Sequence, residues 1–260
     1  MKAITLLFSL SVLIFQGCSS PAPSAPVEND DTGFVRIFNG TNLDGWKGDT
    51  VYWHVEDSNL VGEITPATLL KRNSFITWQG GEVKDFELKF DFRITANGNS
   101  GINYRSVLID SLPFAMKGYQ GDIDGQNRHT GMNYEERART TLAQRGQKVT
   151  LPPVPASDSL SAHIKDNVWS AAVVESSLGN ADSLLAAIHP LGSWNEYHIV
   201  ARGNHLQHFV NGVLMSDVTD NDSVNGKSQG LIGVQVHVGP PMKVEFRNFF
   251  LKKIEGKKGS

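Results

Sequence analysis

Residues Asp85–Ile94 read D-F-E-L-K-F-D-F-R-I, and no other stretch restricts the chain so tightly. Phe86, Leu88, Phe90, Phe92 and Ile94 alternate with Asp85, Glu87, Lys89, Asp91 and Arg93. Strict period two places the large apolar side chains on one side of an extended backbone and the charges on the other. Such a segment belongs in a half-buried strand, packed on one face and wet on the other.

The same grammar recurs along the chain. Asn97-Gly98-Asn99 marks a turn and Ser100–Ser106 the next strand, with Ile102 and Tyr104 directed inward and Asn103 and Arg105 outward. Trp194–Ala201, His205–Val210 and Val213–Val218 read as a meander. Its second connection is Asn211-Gly212, a dipeptide suited to a type I′ hairpin because both residues tolerate positive φ. Leu231–Val238 and Val244–Ile254 supply two more strands around Gly239-Pro240-Pro241. Short strands with frequent turn signals predict a sandwich, jelly roll or barrel. The middle is less regular. Glu135–Gln144 predicts a helical turn or two stopped by Gly146, Asp182–Ile188 a short helix between Asn180 and Pro190, and Val149–Pro155 a crossing at a sheet edge. No repeat of fixed period and no second-domain boundary emerges.

The start of the chain has a different character. Met1–Lys2 gives a positive start and Ala3–Phe15 an almost unbroken apolar run. A membrane-spanning helix needs about 20 apolar residues, so this run has the form of a signal-peptide core. It ends in Phe15-Gln16-Gly17-Cys18, where a small residue before the only cysteine resembles a bacterial lipoprotein processing site. The expected organisation is a signal peptide over 1–17, a lipidated Cys18 with a Pro- and Ser-rich tether over 18–33, and one folded domain over 34–255. The expected location is the bacterial cell envelope, with the membrane engaged through the lipid alone. A formal charge of −3, with no basic run and no phosphate-cradling loop, argues against a nucleic-acid partner.

With no cysteine after Cys18, thiolate chemistry is excluded from the folded part. HExxH, CxxC, GxGxxG and G-x-S-x-G are absent, and no ligand spacing proves a metal. Three clusters remain. In Gly118-Tyr119-Gln120-Gly121-Asp122-Ile123-Asp124 an extended backbone puts Gln120, Asp122 and Asp124 on one face, suited to a sugar groove, although Asp124 also suits a turn with Gly125. In Tyr134-Glu135-Glu136-Arg137-Ala138-Arg139 two acids precede two arginines, so a carboxylate can be held by a guanidinium, with Glu135 favoured over Glu136. An exposed helix start explains the same residues. In Gly233-Val234-Gln235-Val236-His237-Val238, Gln235 and His237 share the polar face, and His237 is a candidate acid/base or metal ligand. Trp46, Trp53, Trp78 and Trp194 read more readily as core packing than as sugar platforms.

Phe38-Asn39-Gly40-Thr41-Asn42-Leu43-Asp44-Gly45-Trp46, Asp85-Phe86-Glu87-Leu88, Asn99-Ser100-Gly101-Ile102 and Gly118-Tyr119-Gln120-Gly121-Asp122-Ile123 form an ordered set. Trp194-Asn195-Glu196-Tyr197, Val210-Asn211-Gly212-Val213, Gln235-Val236-His237 and Val244-Glu245-Phe246-Arg247-Asn248 complete it. In this order and spacing they resemble the 3-keto-disaccharide hydrolase domain family, from about Phe34 to Ile254. The resemblance implies an all-β, concanavalin A-like and LamG-like jelly-roll sandwich of two antiparallel sheets with short helical insertions. It also implies cleavage of glycosides oxidised at C3, with a carbohydrate as the partner. Many members read Gly-Tyr-Glu where this chain has Gln120 after Tyr119.

Such chemistry needs a base near C2, donors or a cation on the enolate oxygen, and an acid for the leaving group. Asp122, Glu135 and His237 are the expected catalytic groups, and Asn103, Arg105, Gln120 and Gln235 the expected substrate-binding groups. A divalent ion is an alternative to Arg105 on the enolate. The competing reading is a carbohydrate-binding module without catalysis, because jelly rolls host both. The two differ in whether titratable groups converge in one pocket or an aromatic platform lies flat and exposed.

The lipid anchor has a direct check. In cell fractionation, Cys18→Ala should move the protein out of the membrane fraction, and a variant that stays there with the parent would refute lipidation.

Overall fold

Two β-sheets pack face to face, and Phe86–Ile94 turns its row of apolar side chains into the core between them. The computed structural model describes residues 32–255; the leader, Cys18 and the tether before residue 32 lie outside them. Among the described residues the larger sheet has ten strands. From one edge it runs Val173–Ser177, Gln147–Leu151, Val213–Asp220, His205–Val210, Asn195–Arg202, Phe86–Ile94, Met242–Lys253, Asn59–Ile64 and Trp53–Glu56, with Val35–Arg36 paired beside Met242–Lys253. The second sheet has nine strands, in the order Ile164–Lys165, Val168–Trp169, Thr140–Ala143, Asn133–Glu136, Met116–Asp124, Asn99–Leu108, Leu231–Val236, Ser74–Trp78 and Trp46–Lys47. Two neighbouring pairs are parallel, Gln147–Leu151 with Val213–Asp220 and Thr140–Ala143 with Val168–Trp169. The result is the expected all-β jelly-roll sandwich.

The alternation of Phe86–Ile94 is realised residue by residue, buried and half-buried in turn. Its inner side chains form the centre of the core, where Phe90 stacks on Tyr197 at 5.5 Å and on Phe249 at 5.1 Å between ring centroids. The Asn211-Gly212 connection has φ of 49° and 78°, as the type I′ geometry demands. The short helix is present over Ala181–Ala186, with the Asn180 side chain accepting from the backbone N–H groups of Asp182 and Ser183.

Two expectations about the middle of the chain are corrected. Glu135–Gln144 is not helical. It forms the strands Asn133–Glu136 and Thr140–Ala143, joined through Arg137 and Thr140 at positive φ of 56° and 66°. Pairing with Met116–Asp124 overrides a weak local helix preference. Val149–Pro155 does not merely cross an edge, because Gln147–Leu151 is an interior strand of the larger sheet.

Between the sheets lies a buried ionic cluster. Arg139 is fully enclosed and pairs with Glu135 Oε2 at 2.5 Å, Asp220 Oδ2 at 2.6 Å and Asp222 Oδ2 at 3.5 Å. The Tyr119 hydroxyl donates to Asp220 and accepts from the Lys227 backbone N–H. Three carboxylates about one guanidinium leave no tolerance for its removal. Arg139→Leu should cost about 3–5 kcal/mol in a urea melt, the scale for breaking a buried ion pair. Glu135→Gln keeps Arg139 paired with the two aspartates and should cost clearly less; equal losses would show that the cluster is not centred on the arginine.

Candidate active site

The nine-stranded sheet turns a polar face away from the core and curves around it. Asn73 immediately precedes Ser74–Trp78, and three strands separate that strand from Asn133–Glu136. In a flat sheet, four spacings of about 4.8 Å would hold the two backbones about 19 Å apart. Asn73 Nδ2 nevertheless donates to Glu136 Oε1 at 3.1 Å. Curvature, with the reach of the two side chains, closes the gap and encloses a cleft of about 450 Å³.

Register decides which side chains enter it. Gln120 pairs opposite Tyr134, and Gly118 opposite Glu136, so Gln120, Asp122, Tyr134 and Glu136 share the cleft side. Gln120 Nε2 donates to Asp122 Oδ1 at 2.7 Å. Burial raises the Asp122 carboxyl to about 8; the Gln120 hydrogen bond opposes that rise, and the like charges of Asp124 and Glu136 add to it. Asp122 is therefore largely an acid at neutral pH. Burial also raises Glu136, against the Asn73 hydrogen bond and the charges of Arg137 and His237. His237 stands at the rim, just beyond the end of Leu231–Val236, because Asn73 Oδ1 takes the Val238 backbone N–H at 2.9 Å and turns the chain away. His237 Nδ1 lies 2.7 Å from the Val238 carbonyl, which can only accept, so Nε2 is the nitrogen free to exchange a proton.

A buried histidine supports the floor. His208 is held near the Met132 carbonyl through Nδ1 at 3.2 Å, and the Tyr104 hydroxyl lies 2.9 Å from Nε2. The carbonyl accepts, so Nδ1 carries the hydrogen and Nε2 receives one from Tyr104, which in turn accepts from Asn133 Nδ2. The same Met132 carbonyl takes the Asp122 backbone N–H at 3.2 Å. Burial drives His208 down to about 4, so the imidazole is neutral at physiological pH.

Of the expected site residues, Gln120, Asp122 and His237 come together in the cleft. Gln235 lies directly behind, fully buried, with Nε2 donating to Gln120 Oε1 at 3.2 Å. The placements of Glu135, Arg105 and Asn103 are corrections, whereas Asp124 takes the turn that its sequence also suits. Glu135 pairs opposite Tyr119, so its carboxylate points between the sheets to Arg139 and its neighbour Glu136 takes the cleft side. Arg105 sits at a bulge between Tyr104 and Val107 with φ of 45°, which turns the side chain out of the expected row. Its guanidinium is spent on the carbonyls of Lys84, Gly203 and Lys227 and on Asp85. Asn103 faces the expected side but is fully buried beneath the cleft. Asp124 organises a turn by accepting from the backbone N–H groups of Arg128, His129 and Thr130.

Residue-by-residue reading missed Asn73, Tyr134 and Arg137 as cleft residues. Tyr134 and Arg137 had a local signal in the acid and arginine run, whereas Asn73 had none. No tryptophan lines the cleft. Trp46 and Trp53 are buried, Lys253 lies over Trp78, and Arg93 and Arg247 both lie over Trp194. Among the described residues no three His, Cys, Asp or Glu side chains are placed to hold one metal ion.

A family model described as the 3-keto-alpha-glucoside-1,2-lyase-like domain matches residues 33–252. The chain belongs to this family. Two solved structures from Parabacteroides distasonis, both described as candidate glycosyl hydrolases, share the fold. The first has 21% identity and a TM-score of 0.53, covering 86% of this chain and 95% of its own. The second has 16% identity and a TM-score of 0.51, covering 85% and 99%. A comparison with curated proteins found no match.

Asp122 and His208 give opposing pH dependences. The folded state holds the Asp122 proton to about 8 against an ordinary value of 3.8, so its stabilising contribution is lost as pH rises through 8. His208 is lowered to about 4 from 6.5, so its penalty appears as pH falls through 6.5. Of the two, only Asp122 acts between pH 6.5 and 8, and the melting temperature should fall across that interval. In Asp122→Asn the fall should flatten, and a slope equal to the parent's would show that Asp122 titrates normally.

Proposed function

We propose that this protein cleaves 3-keto-glycosides by elimination across C1 and C2, followed by hydration. The observation that carries the reading is the convergence in one concave cleft of the Asp122 carboxyl, the His237 imidazole with Nδ1 engaged at the Val238 carbonyl, and the Glu136 carboxyl, in a chain of this carbohydrate-active family.

A ketone at C3 acidifies the hydrogen on C2. His237 Nε2 takes that proton, and Glu136 steadies the imidazolium. Arg137 replaces the expected Arg105 as the cation facing the cleft, where it meets the charge that develops on the C3 oxygen. As the C1–O bond breaks, Asp122 gives its proton to the departing oxygen, releasing the alcohol and a 1,2-unsaturated ketone. Water then adds at C1: Asp122 recovers a proton from it, and His237 returns one to C2. The sum is hydrolysis of the glycoside with both groups restored. Within the same reading, Cys18 holds the domain at the cell envelope, where extracellular sugars arrive.

A carbohydrate-binding module is the less favoured alternative, because the cleft gathers titratable groups and has no tryptophan platform. Incubation with a 3-keto-glucoside, with and without chelator, and product analysis tests the assignment; the chelator arm reports whether an ion takes part. Losing a general acid/base typically costs 10²–10⁴-fold in rate. His237→Ala and His237→Gln should each lose about that much turnover while keeping the parent's melting behaviour, since an amide can hydrogen-bond but not titrate. Equal turnover in all three would remove His237 from the mechanism, and binding without product in the parent would favour the module.

A further inference from the structure

We propose that Gln120, seated over Gly101, and Gln235 behind it form a positioning pair that decides which oxygen of Asp122 carries its proton. The inference rests on the proposed cleavage for its catalytic consequence, and on geometry for the pair itself.

The two amides form a directed chain. Gln235 Nε2 donates to Gln120 Oε1 at 3.2 Å, and Gln120 Nε2 donates to Asp122 Oδ1 at 2.7 Å. Both side chains are enclosed, at 0% and 3% exposure, so neither amide is spare for solvent. The Gln235 backbone is itself pinned, because the Ser100 hydroxyl donates to its carbonyl at 2.5 Å. With Oδ1 accepting, the acid hydrogen of Asp122 resides on Oδ2, the oxygen left to face a departing group.

Gly101 makes this possible. It lies opposite Asp122 in the sheet register. Its backbone is not in the left-handed region, so the missing side chain serves space rather than conformation. A Cβ there would stand 2.6 Å from Gln120 Cδ and Cγ and 2.8 Å from Nε2. The notch lets the Gln120 amide lie flat across the sheet and reach Asp122 on one side and Gln235 on the other. The Asn-Ser-Gly-Ile stretch at Asn99–Ile102 thus gives the site Asn99 on the cleft wall and Gly101 as the notch beneath Gln120. Other titratable groups facing Asp122 are Asp124 on its own strand, Tyr134 and Glu136 on the next, His129 and His237 at the cleft, and Tyr197 beneath. None of them donates to Oδ1.

The test reads Asp122 directly, by carboxyl carbon-13 NMR titration of the full chain, beside the pH dependence of kcat and KM on a 3-keto-glucoside. Gln120→Leu removes a hydrogen bond that favours the carboxylate, so Asp122 should titrate about one pH unit higher. Gly101→Ala should shift it the same way by displacing the amide, and Gln235→Leu by less. In each variant the alkaline limb of the rate profile should move with the titration, with kcat falling about tenfold and KM little changed. An unshifted Asp122 in folded Gly101→Ala and Gln235→Leu overturns the proposal, even if Gln120→Leu does not fold. If the parent shows no turnover, the cleavage reading fails on its own, and the NMR shifts still decide the pair.

Discussion

The Glu135–Arg139 ion pair sets the register on which the cleft depends. Arg139 is held on its other side by Asp220 and Asp222, so Glu135 cannot leave the space between the sheets without stranding charge there. That anchors Asn133–Glu136 with one parity against Met116–Asp124. A slip of one residue would exchange the faces of every side chain in the strand. Glu136 and Tyr134 would then go inward, and the cleft would lose a carboxyl and a wall. A structural ion pair on the dry side thus selects the chemistry available on the wet side.

The cleft itself is a balance between burial and supply of donors. Asp122, Glu136 and Tyr134 are all shifted toward their protonated forms, and burial is the largest cause each time. Against that, Gln120 donates to Asp122, and Asn73 donates to Glu136. Neighbouring carboxyls in a shared site separate into roles when their surroundings differ. Here Asp122 has an amide partner and no nearby cation donating to it, while Glu136 has Arg137 at 3.7 Å. His208 adds rigidity from below, because the carbonyl that anchors it is also the one that receives the Asp122 backbone N–H.

Jelly rolls accommodate lectins and enzymes alike, so the architecture alone does not choose between them. The proposed cleavage therefore rests on the side chains of one curved face. A sugar-binding module would be expected to spend tryptophans there, whereas the aromatic ring on this cleft is Tyr134. This protein instead buries Trp46 and Trp53 in the core and covers Trp78 and Trp194 with cations.

Period-two alternation is legible in the sequence alone, since the physics of a half-buried strand is local and repeats every second residue. Phe86–Ile94, His205–Val210 and the Asn211-Gly212 hairpin follow from it, as does the all-β class. The polar faces carrying Gln120, Asp122, Gln235 and His237 were legible for the same reason. Tertiary structure alone decided the rest. Alternation says that Glu135 and Glu136 point opposite ways, but only pairing with Met116–Asp124 and the charge of Arg139 says which one faces the core. A bulge at Arg105 breaks the alternation locally and sends an expected ligand of the sugar to backbone carbonyls instead. Asn73 joins Glu136 through curvature accumulated over four strand spacings, a quantity that belongs to the whole sheet and to no segment of the sequence.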